Sequence, residues 1–495
     1  MYPALEGLRE IAKSGEYRRI PVCRELYSDR YTPVEVMRTL RTASRHCYLL
    51  ESASQTEVWG RYSFLGYEPS MEITCTDGNL QIRKIHEDGT EEITKQQVKH
   101  PGDAIRKILK EYKSPVLEKM PTFTGGLVGY FSYDYIKYSE PKLELTDKTV
   151  EDFRDMDLML FDQVIAFDHY RQKVLLITGV MTDDPENSYQ KAEAKLKEMA
   201  DLIRNGKQKE FPSLKLKSSI EPQFPKAKYC EMVEKAKHYI HEGDIFQVVL
   251  SNPMRAKAEG SLFDTYRVLR ATNPSPYMFY FSSDDIEIAG ASPETLARLA
   301  GTELSTFPLA GTRPRGKTKE EDLALEKGLL ADEKERAEHN MLVDLGRNDI
   351  GKISKIGSVK VEKYMCVEHF SHVMHLGSTV VGDLREDKDA VDAVDAILPA
   401  GTLSGAPKFR ACQIIEELEH SKRGIYGGAI GYLDFTGNLD TCIAIRLVYK
   451  KKGEICIRSG AGIVADSVPE KEFEECCNKA RAVVQAIAQA QEGLE

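Results

Sequence analysis

The chain has 495 residues, a formal net charge of −10, and 41% hydrophobic and 29% charged residues. That length allows two domains or one large composite domain, and the composition is that of an ordinary globular protein. The acidic balance, with no basic block interleaved with aromatics, excludes the footprint of a nucleic-acid binder and leaves a small metabolite as the expected ligand.

The opening MYPALEGLREIAKSGEYRRI lacks the basic start and apolar core of a secretory signal. No run approaches the ~18 apolar residues of a membrane span. The ten cysteines are scattered, with no C-x-x-C pair and one adjacent pair, Cys476-Cys477. They form neither a disulfide framework nor a zinc site, so a reducing cytoplasm and mostly buried thiols are expected.

Residues 48–54 (YLLESAS) and 70–85 read as strands, the second folded back at Asp77-Gly78. Residues 158–180 read as a hairpin turning near His169 to Gln172, and 192–205 as a helix. Residues 206–225 are polar, hold three prolines and have no periodicity. They are the expected linker between an N-terminal domain, 1–205, and a C-terminal domain, 226–490. Beyond it, Tyr229, Val233, Ala236 and Ile240 share a helical face that Gly243 closes. Residues 245–251 read as a strand, 261–272 as a helix, and YMFYFSS with IEIAGAS as paired strands. A charged helical stretch covers 317–346. Strands at 426–434, 439–447 and 454–459 precede a terminal helix from 468. Helices mix with antiparallel hairpins without a βαβ rhythm, so the fold class is α+β.

Several residues carry chemistry beyond packing. Arg446 sits in an apolar strand on the face of Cys442 and Ala444, where its natural partner is a carboxylate, from a ligand or from the protein. Gly460-Ala461-Gly462 follows a strand and lets an anion approach backbone N–H groups, although tight turns explain most such triplets. Ser467-Val468-Pro469-Glu470 reads as a capping box. Glu475 and Lys479, four apart, share a helical face. Glu338 lies on the stripe of Leu342 and Leu345. If Glu338 and Glu475 met in a pocket they would suit Mg²⁺, but solvated helix faces are the commoner meaning of such charges. His375 and His372 lie in an apolar run, as core residues or as a base.

The strings GDIFQVVLS (243–251), NPSPYMFYF (273–281), GASPETL (290–296), PLAGTRPRG (308–316), AEHNMLVDLGRNDIG (337–351), FSHVMHL (370–376), PAGTLSGAPK (399–408), YGGAIGY (426–432) and the segment from Asp440 to Arg481 resemble, in order, the chorismate-utilising enzymes. The resemblance implies a composite fold of two large antiparallel sheets flanked by helices, with the active site in the cleft between them. It implies Mg²⁺ held by Glu338 and Glu475, and a substrate-carboxylate site at Tyr426, Arg446, Lys479, Gly311, Thr312 and Gly460, Ala461 and Gly462. Glu294 matches the acid that protonates the leaving C4 hydroxyl, His375 the base that takes the C2 proton, and Thr402 a contact to the ring or that hydroxyl.

Relatives that add water usually carry lysine at Gln247, and many that stop at aminodeoxychorismate carry lysine at Ala310. Ammonia addition followed by pyruvate loss, giving anthranilate, is therefore the expected reaction. The alternatives are an aminodeoxychorismate product or a catalytically dead tryptophan-binding protein. LLESAS (49–54) resembles a feedback site for tryptophan, with Glu51 and Ser52 on one wall and Pro274, Ser275, Pro276, Tyr277 and Met278 on the other. The chain has no Gly-x-Cys-x-Gly elbow, so the resemblance implies a separate glutamine amidotransferase subunit, in a two-plus-two complex.

Overall fold

The computed structural model describes residues 1–53, 60–86, 88–145, 153–369 and 373–494. Ser54 and His372 of the strings above lie outside them. The architecture is α+β, with two large antiparallel sheets packed face to face and helices over their outer faces.

Each sheet takes strands from both sides of residues 206–225. In the first, Cys47–Glu51 pairs with Tyr277–Ser282, joining Arg19–Tyr27, Lys173–Met181, Val164–Asp168 and Tyr62–Tyr67 to Ile286–Ser292, Leu447–Lys451, Glu454–Ile463 and Gln247–Glu259. In the second, Ala429–Asp434 pairs with Gly126–Phe131, joining Leu309–Pro314, Val373–Asp383, Thr295–Ala300 and Leu439–Ile443 to Met156–Phe161, Met71–Thr76 and Asn79–Ile85. The segment 206–225 runs beside Gln247–Glu259 and pairs with it at Lys215–Leu216 and Glu221–Pro222. Between the sheets, Phe279 and Leu447 of the first pack with Tyr130, Ile430 and Cys442 of the second. Helices Pro33–Ala43, Pro185–Asn205, Phe263–Thr272 and Pro469–Glu492 bury their apolar stripes on the outer face of the first sheet.

The Asp77-Gly78 turn forms as expected: both residues have positive φ, and Thr76 faces Asn79 across it. Four expectations are corrected. Residues 158–180 are not one hairpin. Met156–Phe161 belongs to the second sheet, and only Val164–Asp168 with Lys173–Met181 forms the hairpin. The chain changes sheets at Asp162, whose carboxylate is held by the fully buried Arg19, by Thr178 Oγ1 and by Gly179 N. Residues 439–447 likewise split into Leu439–Ile443 and Leu447–Lys451, strands of different sheets. Arg446 lies at that crossing with φ +54°, so strand alternation with Cys442 and Ala444 does not set its direction. Gly460, Ala461 and Gly462 sit inside Glu454–Ile463 rather than after a strand. Finally, Ser467 does not cap the last helix. Val468 takes the cap position, and Ser467 Oγ accepts from Val464 N at 3.1 Å, closing the preceding turn instead.

A buried ionic knot lies behind the first sheet. Glu419 accepts from Arg423 Nη2 at 2.6 Å, Arg458 Nη2 at 2.7 Å and Ser251 N at 2.7 Å, with both Glu419 and Arg423 side chains 0% exposed. Removing one member strands the other charges in a medium that cannot solvate them. Glu419→Gln is expected to destabilise the fold by about 3–5 kcal/mol in urea unfolding. A midpoint unchanged at constant m would show that the two arginines do not depend on Glu419.

Candidate active site

A cleft of about 700 Å³ opens where the first sheet's Gln247–Glu259 and Glu454–Ile463 approach the second sheet's Leu309–Pro314 and Val373–Asp383. Helices Glu333–Gly351 and Pro469–Glu492 supply further wall. The structure brings Glu294, Gly311, Thr312, Glu338, His375 and Thr402 together on its lining, and with them Tyr426, Arg446, Gly460, Gly462, Glu475 and Lys479. Ala461 is the one expected substrate residue off the lining. It alternates with its glycine neighbours and packs into the core on the other face.

Glycine is required where the wall is thinnest. A Cβ at Gly460 would stand 2.6 Å from Leu250 O and 3.0 Å from the Tyr426 hydroxyl, and one at Gly462 would stand 2.5 Å from Gln247 Nε2. Gly311 has φ +66°, which turns its carbonyl toward His375 Nδ1 at 2.8 Å. A carbonyl only accepts, so Nδ1 carries the proton and the acceptor lone pair falls on Nε2. Burial lowers the His375 pKa, and the positive charges of Arg446 and Lys479 push the same way, so the imidazole is neutral at pH 7 and able to take a proton.

Glu294 follows the strand Ile286–Ser292 at the sheet crossing and is 7% exposed. Burial pushes its carboxyl up to about 8, against a hydrogen bond from Thr402 Oγ1 at 3.1 Å, one from Leu309 N and the charge of Lys479. It is a proton donor at neutral pH. Arg446 has its pKa lowered by burial, and no side-chain hydrogen bond or ion pair holds its guanidinium among the described residues. A desolvated cation of this kind favours a carboxylate ligand. Lys479 Nζ bonds Glu475 Oε1 at 2.8 Å and Gly460 O at 3.1 Å, the i,i+4 pair expected from sequence.

Burial raises the Glu338 carboxyl, and the nearby carboxylates of Glu335 and Glu475 raise it further. Acids from two helices thus crowd one wall of the cleft, an arrangement that a cation relieves. No cluster of three or more His, Cys, Asp or Glu side chains able to hold a metal forms among the described residues. Glu335 and Glu472 also line the cleft, and the sequence placed neither of them in the site. The signal for Glu335 was its i,i−3 position to Glu338 on the same helix. Gln247 presents a buried Oε1 without a hydrogen-bond partner among the described residues.

A second cavity, about 550 Å³, lies elsewhere between the sheets. Glu51, Ser52, Pro276, Tyr277 and Met278 line it with Ile430 and Tyr432; Pro274 and Ser275 do not. Ser275 instead ties the two strings together, its carbonyl accepting from Ala53 N at 3.0 Å. Glu51 is held by Tyr266 Oη at 2.5 Å, Arg270 Nε at 2.8 Å and Ser63 Oγ at 3.2 Å. No helix among the described residues is long and apolar enough to cross a membrane.

The family described as chorismate binding enzyme matches residues 45–485. Proteins named anthranilate synthase component 1 from Acetivibrio thermocellus and Aquifex aeolicus are each 44% identical, with 99% of this chain and 99% of each relative covered. The crystal structure of anthranilate synthase component I from Streptococcus pneumoniae superposes with a TM-score of 0.74 at 38% identity, over 86% of this chain and 92% of that one. The menaquinone-specific isochorismate synthase MenF of Escherichia coli, 20% identical with a TM-score of 0.68 over 98% of this chain and 99% of that one, shares the fold. The chain belongs to the chorismate binding enzyme family and, along its whole length, to the anthranilate synthase component 1 proteins within it.

Proposed function

We propose that the cleft converts chorismate and ammonia to anthranilate and pyruvate, the branch toward tryptophan, in the cytoplasm. The observation that carries this reading is the meeting, in one cleft, of a buried carboxyl held by Thr402, Glu294, whose charge burial disfavours, with a histidine, His375, whose Nδ1 is turned to Gly311 O. Arg446 and the N–H groups beside Gly460 and Gly462 take one substrate carboxylate, with Tyr426 and Thr312 fixing its plane. Glu294 protonates the C4 hydroxyl as it leaves, and Thr402 holds that carboxyl in place. The orphan Oε1 of Gln247 offers an acceptor to the incoming nitrogen, where a lysine would favour water. His375 Nε2 then takes the C2 proton, and the ring becomes aromatic as the enolpyruvyl group departs. Ala310, on the lining, offers no nucleophile to divert this course.

Glu338 and Glu475 are the residues that would hold Mg²⁺, which takes one or two carboxylates and otherwise water and substrate oxygens. When bound, the ion neutralises the ring carboxylate and draws electron density from the ring. The mutual repulsion raising Glu338 supports the fit.

Ammonia comes from glutamine through a separate amidotransferase subunit, two of each chain to a complex. The sequence's lack of a Gly-x-Cys-x-Gly elbow supports the need for it, and two of the buried thiols agree. Burial pushes Cys47 up to about 12 and Cys476 up to about 11, opposite to what a glutamine-cleaving thiolate requires.

Tryptophan occupies the second cavity as a feedback inhibitor, its ring between Met278 and Tyr432 and its ammonium toward Glu51. Both cavities are walled by the two sheets, so a ligand that binds one sheet spacing better biases the other site. Equal tryptophan affinity with and without saturating chorismate would count against this coupling. Glu51→Ala is expected to weaken inhibition by about tenfold or more while kcat stays within about twofold.

The test of the reaction is purified chain with chorismate, Mg²⁺ and ammonium at mildly alkaline pH, kept no higher than about 8 so that Glu294 stays protonated, followed by anthranilate fluorescence with and without tryptophan. Chorismate consumed without anthranilate would move the product to aminodeoxychorismate or isochorismate.

A further inference from the structure

The strings LGRND and SGAPK have no part in the chemistry above, yet the structure joins them. Asp349 ends the helix Glu333–Gly351 that carries Glu338, and it is 5% exposed. Lys408 begins the helix Lys408–Glu419, directly after the segment that carries Thr402. Lys408 Nζ donates to Asp349 Oδ2 at 2.5 Å and to Ile397 O at 2.9 Å. Between these ends the helix and the segment touch without clearance, since a Cβ on Gly401 would stand 2.5 Å from Leu345 Cδ1. Asp349, Gly401, Thr402 and Glu294 share the wall of one void of about 30 Å³. Lys352, the residue that caps that helix, also reaches Asp349, at 3.3 Å, and bonds Ala396 O, but it comes from the Asp349 side, whereas Lys408 comes from the chain that follows Thr402.

We infer that Asp349 and Lys408 are positioning residues for catalysis: their ion pair holds segment 400–403 against the Glu338 helix and so keeps the Thr402 hydroxyl on Glu294. This rests on the reading of Glu294 as the acid. A buried pair whose partners sit on separate elements acts as a geometric lock, and breaking it leaves one charge uncompensated. Among the described residues the charge acting on Glu294 is that of Lys479, which the lock does not touch; Asp349 shares a void wall with Glu294, so Lys408→Met, which keeps that carboxylate, separates the lock from any direct effect of its charge. A loosened lock therefore reaches the acid through Thr402. That hydrogen bond favours the ionised carboxyl, so weakening it moves the acid's titration to higher pH.

The experiment is the pH dependence of kcat for the full chain with Mg²⁺, chorismate and saturating ammonium. Variants are Asp349→Asn, Lys408→Met, Thr402→Val and the Asp349→Asn/Thr402→Val double. Asp349→Asn is expected to lower kcat by about tenfold, change KM for chorismate by less than about twofold, and shift the alkaline limb upward. Thr402→Val is expected to do the same, and the double variant to be no worse than Thr402→Val alone, because both act through one bond. Lys408→Met repeats the pattern should Asp349→Asn fail to fold. Arg347→Ala, at the exposed Arg347–Asp344 pair of the same helix, is expected to leave all of this unchanged. Losses that multiply in the double variant, or a fall in kcat with the limb unmoved in Asp349→Asn, would overturn the inference. An unmoved limb in Thr402→Val itself would place the failure earlier, in the assignment of Glu294 as the acid.

Discussion

Glu294→Gln is expected to lower kcat by about 10²–10⁴-fold and leave chorismate binding within about threefold. Glutamine keeps the shape of the side chain and an oxygen to accept from Thr402, so the loss isolates the proton. The carboxyl titrates at about 8 because burial disfavours its charge more than Thr402, Leu309 N and Lys479 favour it. An acid works only while protonated. Activity attributable to Glu294 is therefore full below about pH 8 and is lost as pH rises through that value. His375, the proposed base, is expected to set the opposite limb, and burial lowers its pKa, which moves that limb toward acid. The check is a pH–rate profile taken at saturating ammonia, which removes the titration of the nucleophile itself. An alkaline limb that survived in Glu294→Gln would assign the acid to another group.

The site was more legible in the sequence than the strand boundaries around it. Glu338, Glu475, Glu294, His375 and Thr402 sit in strings whose order along the chain carries the resemblance, and they line one cleft. What periodicity alone missed were the places where the chain changes sheets. An apolar run such as 439–447 alternates the same way whether it stays in one sheet or leaves it. Only a tertiary fact ends it, here Ala444 N bonding Gly428 O and Arg446 turning to positive φ. The same holds at Asp162, where a buried arginine from a distant strand fixes the crossing. Ser467 illustrates a local rule overridden. Ser-x-x-Glu before an apolar helix reads as a capping box, but the hydroxyl is taken by the turn at Val464. Asp349 and Lys408 stood in plain view in two matching strings. No sequence pattern states that residues 59 positions apart pair with each other.

Glu338→Ala is expected to abolish turnover, by about 10³-fold or more, while tryptophan still binds. Without a cation, Glu338 is half-buried, and the carboxylates of Glu335 and Glu475 disfavour its charge. Lys479 pairs with Glu475 at 2.8 Å and Arg313 with Glu335 at 3.1 Å, while Glu338 is tempered only by the more distant charges of Lys479 and Lys334. On the proposal that Mg²⁺ sits here, the ion would relieve this crowding and is expected to stabilise the folded chain by about 2.7 kcal/mol at a concentration a hundredfold above its Kd. Removing Glu338 has two opposite effects that one thermal melt separates. It takes away repulsion, so the variant without Mg²⁺ is expected to melt no lower than the parent. It also takes away one of the two proposed ligands, so the rise in Tm with Mg²⁺ and chorismate is expected to vanish. The cavity proposed for tryptophan is a different one, whose wall includes neither Glu338 nor Glu475, so stabilisation of the variant by tryptophan is expected to persist. Full-rate turnover in Glu338→Ala, or an undiminished Mg²⁺-dependent rise in Tm, would remove Glu338 from the metal site and leave the crowded carboxylates without a function.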